Sequence, residues 1–178
     1  MVSYLKTHLS LGHEYLEQGK VDSAIAEFEA AIKSDPQSVK AYKGLAACYE
    51  KLNRVEDALA LWQQVATLTP EDSMVLYSIG LIYHRLGRYE EAASQYEAAL
   101  KISPRSGDVY YNLGHVYIEL GLNNDAIEAY KIAIELNPKD ADAYQSLGVL
   151  YHRVGRMDEA LDCYRKAMAI QKQMEQQG

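Results

Sequence analysis

Four prolines divide the chain at equal intervals. Pro36, Pro70, Pro104 and Pro138 each follow the last by 34 residues. A period of that size in one polypeptide means stacked supersecondary units, not one irregular core. Blocks of 34 can therefore be laid over one another: 5–38, 39–72, 73–106, 107–140 and 141–174. The eighth position is Gly12, Ala46, Gly80, Gly114 and Gly148. The eleventh is tyrosine in all five blocks: Tyr15, Tyr49, Tyr83, Tyr117 and Tyr151. The twentieth is always alanine, from Ala24 to Ala160, and the twenty-fourth is aromatic: Phe28, Trp62, Tyr96, Tyr130 and Tyr164.

Each block reads as two helices. Apolar or small residues at positions 4, 7, 8 and 11 share one helical face. Position 15 is Gly19, Asn53, Gly87, Gly121 and Gly155, residue types that end a helix in the left-handed conformation. Acidic residues such as Asp22, Glu90, Glu91 and Asp158 then open the second helix, where the helix dipole favours them. Position 34 is Ser38, Asp72, Ser106 and Asp140, all expected to cap the next first helix. The proline two residues earlier stops the preceding helix. Gly or Ala at positions 8 and 20 is expected to let two helix backbones approach closely, with aromatics at 11 and 24 filling the space beside them. That use of aromatics also accounts for fifteen Tyr beside one Phe and one Trp.

This pattern resembles the tetratricopeptide repeat family over residues 5–174. Departures are His8 at position 4, Ala46 at position 8, Asn123 at position 17 and Lys172 where a fifth proline would stand. The resemblance implies an all-α fold: a right-handed superhelix, or solenoid, of five antiparallel helix-turn-helix repeats. It also implies a single array over 1–178, with 175–178 as a polar tail. In this family the first helices line a concave groove that binds peptides or partner proteins. Carried over by position, the candidate groove residues are Lys40, Lys43, Tyr77, Leu81, His84, Tyr111, Asn112, His115, Gln145 and Val149. Tyr77 and Tyr111 are the expected anchors, Asn112 the expected partner for a peptide backbone, and Lys40 and Lys43 the expected site of an acidic group. His152, Arg85 and Arg153 stand at the groove edge. Some relatives grip a chaperone's C-terminal carboxylate with five set Lys, Asn and Arg residues. Only Lys43 matches, against Ala47, Ser78, Asp108 and Asn112 at the other positions, so that clamp is rejected.

Composition narrows the partners. A net charge of −7 argues against a nucleic-acid face, which needs concentrated basic residues. No apolar run reaches the length of a membrane span. Cys48 and Cys163 have neither metal-binding nor redox spacing, and the histidines do not fall on adjacent turns as metal ligands would. The reading is a non-enzymatic, cytoplasmic adaptor or scaffold with a protein or peptide partner and no metal or cofactor. Two alternatives stand beside it: a substrate-recruiting module of a larger enzyme such as a glycosyltransferase, or a self-assembling structural scaffold. Leu161, Met168 and Ile170 would normally meet a next repeat, so they form a possible self-association face.

The tripeptide Tyr-His-Arg occurs twice, at 83–85 and 151–153, followed each time by Gly-Arg at 87–88 and 155–156. The repeat assigns its parts separately: tyrosine to the core, glycine to the turn, and Arg88 and Arg156 to solvent.

Overall fold

The computed structural model describes residues 2–176, and among them it forms ten α-helices and no strand. They are α1 (Val2–Glu17), α2 (Val21–Ser34), α3 (Val39–Lys51), α4 (Val55–Leu68), α5 (Ser73–Arg85), α6 (Tyr89–Ile102), α7 (Gly107–Glu119), α8 (Asn123–Leu136), α9 (Ala141–Arg153) and α10 (Met157–Glu175). Second helices begin at Val21, Val55, Tyr89, Asn123 and Met157, and first helices from α3 onward at Val39, Ser73, Gly107 and Ala141. Both series repeat every 34 residues, so the fold is an all-α helical repeat. The chain divides into two compact units, Met1–Leu86 and Gly87–Gly178.

The turn within each repeat forms as its residues dictate. Gly19, Gly87, Gly121 and Gly155 have φ between 69 and 81°, and Asn53 has φ 57°. At the end of α9, Gly155 donates its N–H to the His152 carbonyl and Arg156 donates to the Tyr151 carbonyl. These two bonds are the Schellman closure, which satisfies carbonyls the helix leaves open. Asn53–Arg54 and Gly121–Leu122 repeat it.

N-capping divides the four expected residues. The Asp72 carboxylate accepts from the Met74 and Val75 N–H groups, and that of Asp140 accepts from Ala143. Ser38 and Ser106 make no such bond. At those two starts the side chain is not aimed at an N–H, and the backbone carries them alone.

The core corrects the expectation for the glycines. A Cβ on Gly12 would stand 2.8 Å from the Phe28 ring, on Gly114 2.7 Å from Tyr130, and on Gly148 2.7 Å from Tyr164. The position-8 glycine therefore makes room for the position-24 ring, and not for a second backbone. Phe28, Tyr96 and Tyr130 are completely buried, whereas Trp62 and Tyr164 are half-buried. Phe28 anchors a cluster with Ala24, Leu45 and Cys48. Tyr130 anchors another with Ala126, Ile127, Leu147, Leu150 and Tyr151. α10 runs 19 residues against 14 for the other second helices, because Lys172 stands where a proline would stop it. Of the polar tail expected at 175–178, Glu175 ends α10 and 177–178 lie outside the described residues.

Candidate partner-binding clefts

The position-11 tyrosines do two jobs. Three of their rings lie beneath a cation from position 16: Arg54 is 4.3 Å from the Tyr49 ring, Arg156 4.5 Å from Tyr151 and Lys20 5.9 Å from Tyr15. Two of their hydroxyls reach the second helix of the repeat before. Gln63 donates to the Tyr83 hydroxyl at 3.0 Å, and Tyr117 donates to the Glu97 carboxylate at 3.0 Å. Burial, followed by the Glu97 bond, pushes the Tyr117 phenol up to about 12.

Arg88 and Arg156 are exposed, as the sequence suggests, and each pairs with an acid three residues on. Arg88 donates to Glu91 at 2.6 Å, and Arg156 to Glu159 from Nε, also at 2.6 Å. These hydrogen bonds lower both carboxyl pKa values. Arg85 and Arg153, expected at the groove edge, tie successive repeats together: Arg85 donates to Asn53 at 3.2 Å and Arg153 to Asn123 at 2.6 Å. This gives Asn123, the polar departure at position 17, a partner. His8 is explained likewise, since its Nδ1 lies 2.6 Å from the Glu27 carboxylate.

Three clefts hold most of the candidate groove residues. In Met1–Leu86, Lys40 and Lys43 line a cleft of 650 Å³ between α1 and α3, together with Lys6, Leu9, Ser10 and His13. Lys43 is drawn aside, with its ammonium 3.2 Å from the Asp72 carboxylate. Leu81 and His84 line a pocket of 270 Å³ beside Trp62, whose indole N–H donates to Glu50 at 2.7 Å. Tyr77 is half-buried and lines neither of these two clefts. In Gly87–Gly178, Tyr111, His115, Gln145 and Val149 come together in a cleft of 350 Å³ between α7 and α9. The floor is aromatic: His115 meets Tyr111 edge-on at 4.6 Å and Tyr130 edge-on at 5.4 Å. The Tyr111 hydroxyl sits 3.4 Å from that of Ser146. Asn112 lies outside this cleft and donates its amide N–H back to the Asp108 carbonyl at 2.8 Å. His152 is exposed, one residue from the cleft-lining Arg153.

Sequence reasoning missed a fourth cleft. It holds 580 Å³ among α8, α9 and α10, with Ile134, Tyr144, Leu147, Tyr151 and Cys163 between the charges of Lys131, Glu135, Asp158, Glu159, Asp162 and Lys166. Its residues come largely from second helices, whereas the groove positions all lie on first helices. The visible signal was the dense acid and base spacing of 158–166. Cys163 brings no ready nucleophile, because burial raises its thiol pKa, as it does for Cys48. Among the described residues no three His, Cys, Asp or Glu side chains converge to hold a metal. No described helix is long and apolar enough to cross a membrane.

Helix pairs repeated at 34 residues, with clefts between successive first helices, define a helical-repeat interaction scaffold. Tetratricopeptide repeat models match residues 9–73, 80–121, 114–155 and 141–174. The chain belongs to the tetratricopeptide repeat family. Among curated protein sequences none matches it. A crystal structure of MamA protein superimposes with TM-score 0.90 at 26% identity, covering 99% of this chain and 96% of that one. MamA residues 41 to the end from Desulfovibrio magneticus RS-1 give 0.89 at 20% identity, covering 96% of each chain. YrrB, described as a TPR protein with an unusual peptide-binding site, gives 0.78 at 19% identity over 93% of this chain and 85% of that one.

Proposed function

We propose that this chain is a non-enzymatic adaptor that holds an extended or helical segment of a partner protein against its first helices. One observation carries the reading: the α7/α9 cleft gathers Tyr111, His115, Gln145 and Val149, with Val149 54% exposed at its mouth. Aromatic faces with polar tips, set in a concave site, suit a peptide better than a small metabolite. In the α1/α3 cleft, Lys40 is exposed and would favour an acidic group on the same partner. The reducing interior of a cell is the proposed location, consistent with two free, buried cysteines.

The test is a library of labelled decapeptides presented to the wild-type chain and to a Tyr77→Ala, Tyr111→Ala double variant. The reading expects selected peptides to lose at least about tenfold in affinity, the effect of one or two anchor residues. Unchanged binding by the double variant sinks it.

A second reading, self-association, has its own observation. Leu161 is 52% exposed and Met168 69% exposed, whereas Leu59 and Ile127 at the position of Leu161 are 6% and 3% exposed. Ile170 contributes less than expected, being half-buried. Light scattering should find a dimer that Leu161→Glu converts to monomer. A wild-type monomer at high concentration rejects this second reading.

A further inference from the structure

The Tyr130 side chain is completely buried, and its hydroxyl has no hydrogen-bond partner. Such a group is costly to leave unpaired. It lines the α7/α9 cleft together with Arg153. The Arg153 guanidinium is bonded to Asn123, an uncharged amide, so its charge is not neutralised there. No carboxylate among the described residues lies within ion-pairing distance of it. Asp142 lines the same cleft, but it stands eleven residues earlier on α9, about 16 Å along the axis at 1.5 Å per residue. The positive charge of Arg153 acts on the Tyr130 hydroxyl, opposing the larger effect of burial on its ionisation. An unsatisfied O–H donor and an exposed cation with no carboxylate partner therefore share one cleft.

The other repeats provide an internal comparison. Position 24 of one repeat and position 13 of the next are Phe28 and Lys51, Trp62 and Arg85, Tyr96 and Glu119, Tyr130 and Arg153. Phe28 has no hydroxyl, and Lys51 donates to the Leu16 carbonyl. The Trp62 N–H is already bonded to Glu50. Tyr96, whose hydroxyl is buried like that of Tyr130, has an acid at the facing position of the next repeat. Only the last pair joins a phenol to a cation. Arg153 keeps the scaffold role that Arg85 has, so it is the phenol beside the cation that sets this pair apart.

We propose that the floor of the α7/α9 cleft is a carboxylate subsite, in which the Tyr130 hydroxyl and the Arg153 guanidinium receive an acidic side chain of the bound peptide. The proposal rests on the partner-binding reading above. Entry is from the α9 side, past Val149 and Ser146, because the Tyr111 and His115 rings cover Tyr130 at 5.8 and 5.4 Å. Tyr111 is held there by a long contact to Ser146, 3.4 Å, so it can swing to admit the incoming oxygen. The buried O–H then gains a charged acceptor, and such bonds are the stronger kind.

The experiment is a positional-scanning library of fluorescein-labelled decapeptides read by anisotropy. Wild type should prefer Glu or Asp over Gln or Asn at one position by about tenfold, the usual effect of one hydrogen bond to a charged group. Tyr130→Phe should cut that preference to about threefold or less, while melting no lower than wild type because it removes only an unsatisfied oxygen. Arg153→Gln should abolish the preference, and Arg153→Lys should keep part of it. Peptides that bind and lose affinity in the Tyr77→Ala, Tyr111→Ala variant, yet show no acidic preference or keep it in Tyr130→Phe, overturn the subsite and leave the partner-binding reading standing. No binding by any peptide overturns both.

Discussion

A methyl group placed on Gly44 would stand 2.3 Å from the Phe28 ring, and one on Gly12 2.8 Å from it. The ring thus lies between α1 and α3, with a glycine on each side. Gly12→Ala and Gly44→Ala should each cost about 1–3 kcal/mol by overpacking, read from urea unfolding. Gly107→Ala is the control. Its nearest neighbour would be 3.6 Å away, so its midpoint should move little. A second prediction concerns the Tyr117 phenol, pushed up to about 12, first by burial and then by its bond to Glu97. The folded pKa lies above the unfolded value near 10. Its contribution to stability is therefore complete below about pH 10 and lost as pH rises toward 12. Tyr117→Phe should lose less stability than wild type between those pH values, measured by melting temperature. An equal loss in both proteins contradicts the assignment. The tyrosine skew was legible in the sequence as a regular core position. The cation over the ring and the bond to the preceding repeat were not, because both partners lie outside the apolar stripe that periodicity detects.

At the scale of the helix, caps separate residues that look interchangeable in a sequence. Asp72→Ala removes two hydrogen bonds at the start of α5 and the carboxylate facing Lys43, and should cost about 1–2 kcal/mol. Ser106→Ala removes no capping bond and should stay within about 0.5 kcal/mol of wild type. Equilibrium unfolding of both variants checks the contrast. Helix starts, turns and the 34-residue spacing could be read directly, since Gly, Asn and Pro impose backbone geometry locally. Which serine reaches an N–H could not, because that depends on how the preceding turn aims the side chain. The second-helix cleft lined by Ile134, Asp158 and Asp162 was missed for a related reason. Position in the repeat says which helix a residue is on, and not whether neighbouring charges leave room between them.

For the molecule as a whole, the duplicated Tyr-His-Arg resolves into parts of a scaffold. Tyr83 and Tyr151 are buried. Arg85 and Arg153 tie one repeat to the one before. Gly87 and Gly155 turn the chain. Scaffold and cleft share residues here: Arg153 both fastens α9 to Asn123 and lines the α7/α9 cleft. The central claim is that a partner is held on the first-helix side. Two clefts compete for it within Gly87–Gly178: the α7/α9 cleft and the one among α8, α9 and α10. The deciding measurement is the amide chemical-shift change when a library-selected peptide is titrated into the isotope-labelled chain. Shifts concentrated at Tyr111, His115, Gln145 and Val149 are the predicted result. Shifts concentrated at Ile134, Asp158, Asp162 and Lys166, with the α7 signals unmoved, would contradict it.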